Sequence, residues 1–266
     1  MTEARLRLYR TEGVVLRRSD VGEADRLLTL YTPDRGKIRL LAKGVRRPGS
    51  RLAGHVELLA HSTFLVARGR NLDIITQAQT RQAFAALRQD LERIGWGCYM
   101  AELLERMAPE QEENYPAYLL LLEALDLLDR GGNGEMIARS FEMHLLGYMG
   151  YRPQLFRCVS CEAEMEERPP VFSPSQGGVL CPHCREQDPH AHALSLEGWK
   201  ALCYLQSTGL AEAGRLRLSG ERRREVAEVI YVYIRSILER DLNAAGFLEA
   251  VRRGPGTGMI SPSPRP

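Results

Sequence analysis

Leu27-Leu28-Thr29-Leu30-Tyr31, then Thr32-Pro33-Asp34-Arg35-Gly36, then Lys37-Ile38-Arg39-Leu40-Leu41: two β-prone runs flank a five-residue turn signal. Pro presets φ, Asp bonds its own backbone and Gly accepts φ > 0, so the chain reverses here between two strands. Working outward, similar short runs lie at Val14-Val15-Leu16, Phe64-Leu65-Val66 and Leu72 to Thr76. Turn signals at Asp20-Val21-Gly22 and Arg68-Gly69-Arg70-Asn71 separate them. Five short strands with no helical period between the first pairs predict a small closed barrel. The OB-fold is the five-stranded candidate, whose loops and one sheet face commonly hold single strands.

The same segment carries most of the chain's positive charge. Arg35, Lys37, Arg39, Lys43, Arg46, Arg47 and Arg51 place seven bases in 17 residues with no acid among them. Alternate residues of a strand share a face, so Lys37 and Arg39 are expected to project together, away from the barrel core. Gly44-Val45-Arg46-Arg47-Pro48-Gly49-Ser50-Arg51 reads as a flexible basic loop able to follow a phosphate backbone. The competing reading is a solvated charged face, but such faces usually mix signs. Only Tyr9, Tyr31 and Phe64 offer rings in this region, and Phe64 reads as core, so binding is expected to be dominated by the backbone and tolerant of sequence. The net charge of +2 over 266 residues hides this sorting: residues 1 to 80 carry +7 and the remainder −5.

From Arg81 onward the period changes. Phe84, Leu87, Leu91 and Ile94, then Met100, Leu103, Leu104 and Met107, predict an amphipathic helix or helix pair, jointed at Gly95-Trp96-Gly97 and ended by Pro109. Asn114 is placed to cap a Leu-rich helix running to Asp129, closed by Gly131-Gly132-Asn133-Gly134. A third helix carries Ile137, Phe141 and Leu145. Ser195 and Ser219 are placed to cap two more. The expected units are an OB-fold at 1–80, a helical domain at 81–153 continued at 194–250, a cysteine-bearing insert at 154–193, and a disordered tail at 251–266. Arg222-Arg223-Arg224 opens the last helix, where cations oppose the dipole; Glu221, Glu225 and Glu228 are spaced to neutralise them. The longest apolar runs, Ala117 to Leu122 and Val229 to Ile234, fall far short of the roughly 20 residues of a membrane span. With no secretory pattern at Met1 to Arg7, a cytoplasmic protein is expected, nucleoid-associated when bound to DNA.

Four of the six cysteines form two pairs, Cys158-x2-Cys161 and Cys181-x2-Cys184, separated by 19 residues. That is zinc-ribbon spacing: each knuckle offers two thiolates to one tetrahedral ion. A segment of about 40 residues with hardly any aliphatic core needs such a staple. The alternatives are a disulfide pair, disfavoured in a reducing compartment, or spare reduced thiols. Four sulfurs complete the shell, so structural rather than catalytic Zn2+ is expected, although His183, His190 and His192 lie nearby. Cys98 and Cys203 read as small buried hydrophobes.

No phosphate-binding P-loop, nucleophile elbow or His-Glu-x2-His helix occurs, and no carboxylate pair stands out, so no enzyme is expected. The chain resembles the RecO family of bacterial recombinational-repair mediators. The resemblance rests on Gly22-Glu23-x-Asp25-Arg26-Leu27, Thr32-Pro33 to Gly36-Lys37, and above all Ala42-Lys43-Gly44-Val45-Arg46-Arg47-Pro48-Gly49-Ser50-Arg51. It continues at Leu146-Gly147-Tyr148-Met149-Gly150-Tyr151-Arg152-Pro153, at Phe172-Ser173-Pro174 and at Gly177-Gly178-Val179-Leu180-Cys181. It implies an N-terminal OB-fold, a helical domain and a zinc module. It also implies binding of single- and double-stranded DNA, annealing of complementary strands, and loading of RecA on DNA coated by single-strand-binding protein. Implied partners are RecR, single-strand-binding protein and RecF through RecR. The alternative is a protein-interaction adaptor that docks through the Leu-rich helix at 117–128, with DNA binding incidental.

Overall fold

The computed structural model describes residues 8–165 and 168–238. The expected tail and the last residues of the second helical part lie outside these.

Five strands close a barrel in the order β1-β2-β3-β5-β4: β1 (Leu8–Val21), β2 (Asp25–Thr32), β3 (Gly36–Ala42), β4 (His61–Ala67) and β5 (Asp73–Gln82). All neighbours are antiparallel except β3 and β5, whose short parallel pairing at Leu40↔Asp73 and Leu41↔Ile74 closes the barrel. The alternation of the opening segment is realised: Leu28, Leu30, Ile38 and Leu40 point inward with Val15, Phe64, Val66 and Ile75. The strands run longer than their apolar runs, because the register continues through outward polar residues that a run-based reading omits. β1 shifts register between Val15 and Arg17. Val15 enters the barrel core, whereas its neighbours Val14 and Leu16 join the core of the helical body.

The helical body begins with α1 (Ala85–Arg88) and α2 (Leu91–Met107). The expected joint at Gly95-Trp96-Gly97 is absent. The break falls at Gln89-Asp90, where Asp90 caps α2 by accepting the N–H groups of Glu92 and Arg93 at 3.0 and 3.1 Å. Gly97 instead thins the helix for close packing: a Cβ there would lie 2.8 Å from Leu59. α3 (Tyr115–Asp129) is capped by Asn114, and α4 (Gly134–Tyr148) by Asn133. After the insert come α5 (Leu196–Ser207), capped by Ser195, then α6 (Leu210–Ala213) and α7 (Gly220–Leu238), whose Arg222 N–H reaches Ser219 Oγ at 3.3 Å.

One continuous core runs through both helical parts and receives Val14, Leu16, Tyr31 and Leu59 from the barrel. Tyr31 is thereby fully buried, so it presents no ring to a base. Leu120, Leu121, Leu125 and Leu128 of α3 are buried in the same core; Leu119 alone of these leucines is exposed. Cys98 and Cys203 are only half-buried at its margin, because both sit on helix flanks rather than on the inward stripe. Arg222 pairs with Glu225 at 2.5 Å and Glu221 at 3.0 Å, and Arg223 lies 3.5 Å from Glu135. No helix among the described residues is long and apolar enough to cross a membrane.

Candidate nucleic-acid interface and metal centre

The seven bases of 35–51 separate into three environments. Lys37 and Arg39 do project together from β3, but towards the helical body. Lys37 Nζ donates to the Glu105 carbonyl at 2.7 Å, and its ammonium pKa is lowered because burial strips solvent from the charge. Arg39 pairs with Glu110 at 2.5 Å. Backbone seals the contact: Gln111 N–H donates to the Lys37 carbonyl at 2.9 Å, and the turn at Gly36 (φ 56°) lies so close to Glu112 that a Cβ there would strike its carbonyl. Arg35 is half-buried, its guanidinium 4.4 Å from the Tyr9 ring centre and 3.5 Å from Asp34.

Lys43, Arg47 and Arg51 are exposed and make no ion pair among the described residues. Arg46 is held, at 3.4 Å from Asp20 and bonded to the Gly22 carbonyl. Their segment was expected to be a flexible loop; it is instead a string of tight turns. Arg47 N–H bonds the Gly44 carbonyl, Ser50 N–H that of Arg47, and Arg46 N–H that of Ala24. Asp25 accepts the Gly44 N–H at 2.7 Å, and Val45 is buried in the barrel core. The apolar anchors Val45 and Leu52 tie the turns down, so the basic side chains stand on a shaped surface.

Sequence reasoning missed Arg68, which the β4–β5 turn brings over Tyr9, 5.5 Å from the ring centre. Only barrel closure makes residues 35 and 68 neighbours. Tyr9 O–H donates to Asp73 at 2.8 Å, and burial together with that carboxylate pushes its pKa up to about 12. Arg17 was missed too; it lies 3.6 Å from Glu105 on the same outer face as Lys37.

The four cysteines converge. The insert folds as a three-stranded sheet, β6 (Val171–Ser173), β7 (Gly178–Leu180) and β8 (His192–Ala193), in the order β7-β6-β8. The first knuckle lies against β7 through Val159 N–H to the Val179 carbonyl at 3.0 Å, and the second continues directly from β7. The sulfurs of Cys158, Cys161, Cys181 and Cys184 all lie within 4.8 Å of one another. Cys161 and Cys181 are 3.8 Å apart, far beyond the roughly 2.05 Å of a disulfide. About 3.8 Å is instead the edge of a tetrahedron whose centre lies about 2.3 Å from each sulfur. Burial opposes ionisation of Cys158, but N–H groups of Cys161, Cys181 and Ser160 aimed at the sulfur outweigh it and hold the thiol near 6. A set of four soft donors, three of them buried, fits a metal ion of the zinc type. No histidine joins the cluster among the described residues.

The architecture is thus a small closed barrel with basic turns, joined to a helical body that carries an embedded four-sulfur cluster. The family model for the recombination protein O N-terminal domain matches residues 6–84, and that for its C-terminal domain matches residues 88–245. The chain belongs to the RecO family. It is 47% identical over 247 residues to the DNA repair protein RecO of Roseiflexus sp. (strain RS-1), covering 93% of this chain and 87% of that protein. The DNA repair protein RecO of Pelotomaculum thermopropionicum is 38% identical over 254 residues, covering 95% and 98%. That of Desulforudis audaxviator is 39% identical over 243 residues, covering 91% and 97%.

Proposed function

We propose that this chain binds single- and double-stranded DNA through the basic turns of its barrel, anneals complementary strands, and assists loading of RecA together with RecR. The observation that carries the reading is the unpaired trio Lys43, Arg47 and Arg51, held on an ordered turn surface beside Arg46. A cation with no internal carboxylate exchanges only water and counterions when a phosphate arrives. Arg35, Lys37 and Arg39 lie on β3 and the turn that leads into it, where internal partners already occupy them.

Annealing requires two polyanions to approach. Bases that neutralise one strand lower the repulsion met by the second, and no bond is made or broken, so the protein acts here as a binder rather than an enzyme. Single-strand-binding protein and RecF, the latter through RecR, are the further partners, and the setting is the cytoplasm. The four thiolates hold one structural Zn2+, which when bound supplies the cross-link that the insert's small sulfur-lined cluster lacks.

The test is a salt titration with labelled single-stranded DNA. The slope of log K against log salt for the full chain should lose about 2 on replacing Lys43, Arg47 and Arg51 by Ala, from about 0.7 per contact. An unchanged slope and affinity would sink the assignment. The adaptor reading predicts weak binding that vanishes at physiological salt; burial of the Leu-rich face of α3 weighs against it.

A further inference from the structure

A groove with basic and acidic walls runs along the barrel flank beyond the end of α2. It is lined by Tyr9, Arg35, Lys37, Arg39, Arg68 and Glu110, and runs between the β2–β3 turn, the β4–β5 turn and the segment 108–113. Four bases converge on one cleft from two separate stretches of chain, and the third stretch contributes Glu110. Two of the three carboxylates of the groove hold neighbouring backbone or hydroxyl groups. Asp34 lies beside Arg35 and accepts Thr11 O–H at 3.0 Å; Asp73 accepts Tyr9 O–H and Gly69 N–H. The Glu110 carboxylate accepts no such hydrogen bond: it is half exposed, pairs at 2.5 Å with Arg39, itself 53% exposed, and its charge also favours the Lys37 ammonium, beside which its backbone forms a bridge. Arg68 has no carboxylate partner among the described residues and stands over the Tyr9 ring.

We propose that the groove is a subsite for one strand of single-stranded nucleic acid, and that Glu110 occupies the place of one of its phosphates. The segment 108–113 is then a strap whose carboxylate a strand must displace from Arg39, while Arg35, Arg68 and Tyr9 receive the adjoining sugar-phosphate. The backbone of the strap stays in place, because Gln111 N–H is bonded to the Lys37 carbonyl and Lys37 to the Glu105 carbonyl. Only the Glu110 side chain has to swing. An exposed pair of this kind is worth little by itself, so the guard discriminates rather than blocks. A weakly held polyanion meets a filled site, and a strand already held by Lys43, Arg47 and Arg51 pushes the carboxylate aside.

The inference rests on the reading of the barrel as a DNA-binding unit, and the experiment separates the two. Binding of labelled oligo-dT, which cannot pair with itself, is measured across a salt series for the full chain and for Glu110→Gln, Glu113→Gln, Arg39→Ala and the double variant Glu110→Gln/Arg39→Ala. Glu110→Gln should bind about two- to fivefold tighter, with a slope steeper by about 0.7, the signature of one more phosphate contact. Glu113→Gln removes the same charge from an exposed position on the same strap and serves as the control; it should stay near the parent. Arg39→Ala should abolish the gain in the double variant. Equal gains from Glu110→Gln and Glu113→Gln, or a gain that survives Arg39→Ala, would overturn the guarded subsite while leaving the DNA-binding reading intact. A parent chain that shows no salt-dependent binding at all would overturn both.

Discussion

The barrel and the cysteine module are both small β units resting on the same helical body, and they are held together by opposite means. The barrel encloses eleven buried apolar residues, from Val15 to Ile75, and closes on itself. The module has a private cluster of Val171, Leu180 and three buried cysteines, and it lends its larger apolar residues, Leu155, Phe172 and Val179, to the helical core. Phe172 meets Tyr233 of α7 edge-on, with ring centres 5.4 Å apart. Burial therefore fixes where the module sits, while four sulfurs fix its internal shape. The difference teaches that a unit too small to bury enough surface borrows order from a neighbour and gathers four sulfurs in a set fit for a metal ion.

Stripping the metal should break this contrast most strongly. A structural zinc contributes about 10–16 kcal/mol of apparent binding energy, so chelation, or Cys158→Ala, should abolish amide protection across residues 154–193. Strand protection in the barrel should persist, as hydrogen exchange read segment by segment would show. Protection retained in the module without metal would mean that its borrowed core suffices. Elemental analysis should find one zinc per chain.

In the barrel the comparable lesion is Phe64→Ala, expected to cost about 3–5 kcal/mol. Urea unfolding should register that loss while metal content stays unchanged. Loss of zinc on this substitution would mean the two units are not independent.

Within the barrel the two sets of bases should separate. Lys37→Ala removes a half-buried charge-assisted hydrogen bond to the helical body and should lower stability by about 1 kcal/mol with little effect on the DNA salt slope. Arg47→Ala should leave stability alone and flatten the slope by about 0.7. Swapped phenotypes would invert the roles assigned to strand and turn.

The smallest effect concerns His61, which joins barrel and body. Its ring bonds Tyr118 at 3.0 Å and Gln82 at 3.4 Å, with Glu12 at 3.9 Å and Arg81 also facing it. Burial, the main cause, lowers its pKa from the ordinary value near 6.5. The folded state therefore favours the neutral ring. The stability this brings is complete above about pH 6.5 and is lost as pH falls towards the lowered value. The unfolding midpoint should drop more between pH 7.5 and 5 in the parent than in His61→Gln; parallel profiles would remove His61 from the account.

Much of this was written locally. Alternation across 27–41 specified the inward set Leu28, Leu30, Ile38 and Leu40, because a strand's two faces follow from its period of two. Asn114, Ser195 and Ser219 announced helix starts, because a cap needs only the next three residues. The Cys-x2-Cys spacing specified its cluster, since each knuckle is itself a local turn. The break before α2 was misplaced because a glycine pair signals either a joint or close packing, and only Leu59, 38 residues before Gly97, decides which.

By itself, then, the sequence determined the barrel, the caps, the sulfur cluster and the identity of the basic run. Tertiary structure alone decided how those bases are used. Lys37 and Arg39 turn to Glu105 and Glu110, Tyr31 vanishes into a shared core, and Arg68 arrives at Tyr9 across the closed barrel. The physical reason is range: hydrogen-bonded turns and strand faces are set within a few residues, whereas the partner of a charge is whatever distant segment folding carries within about 4 Å of it.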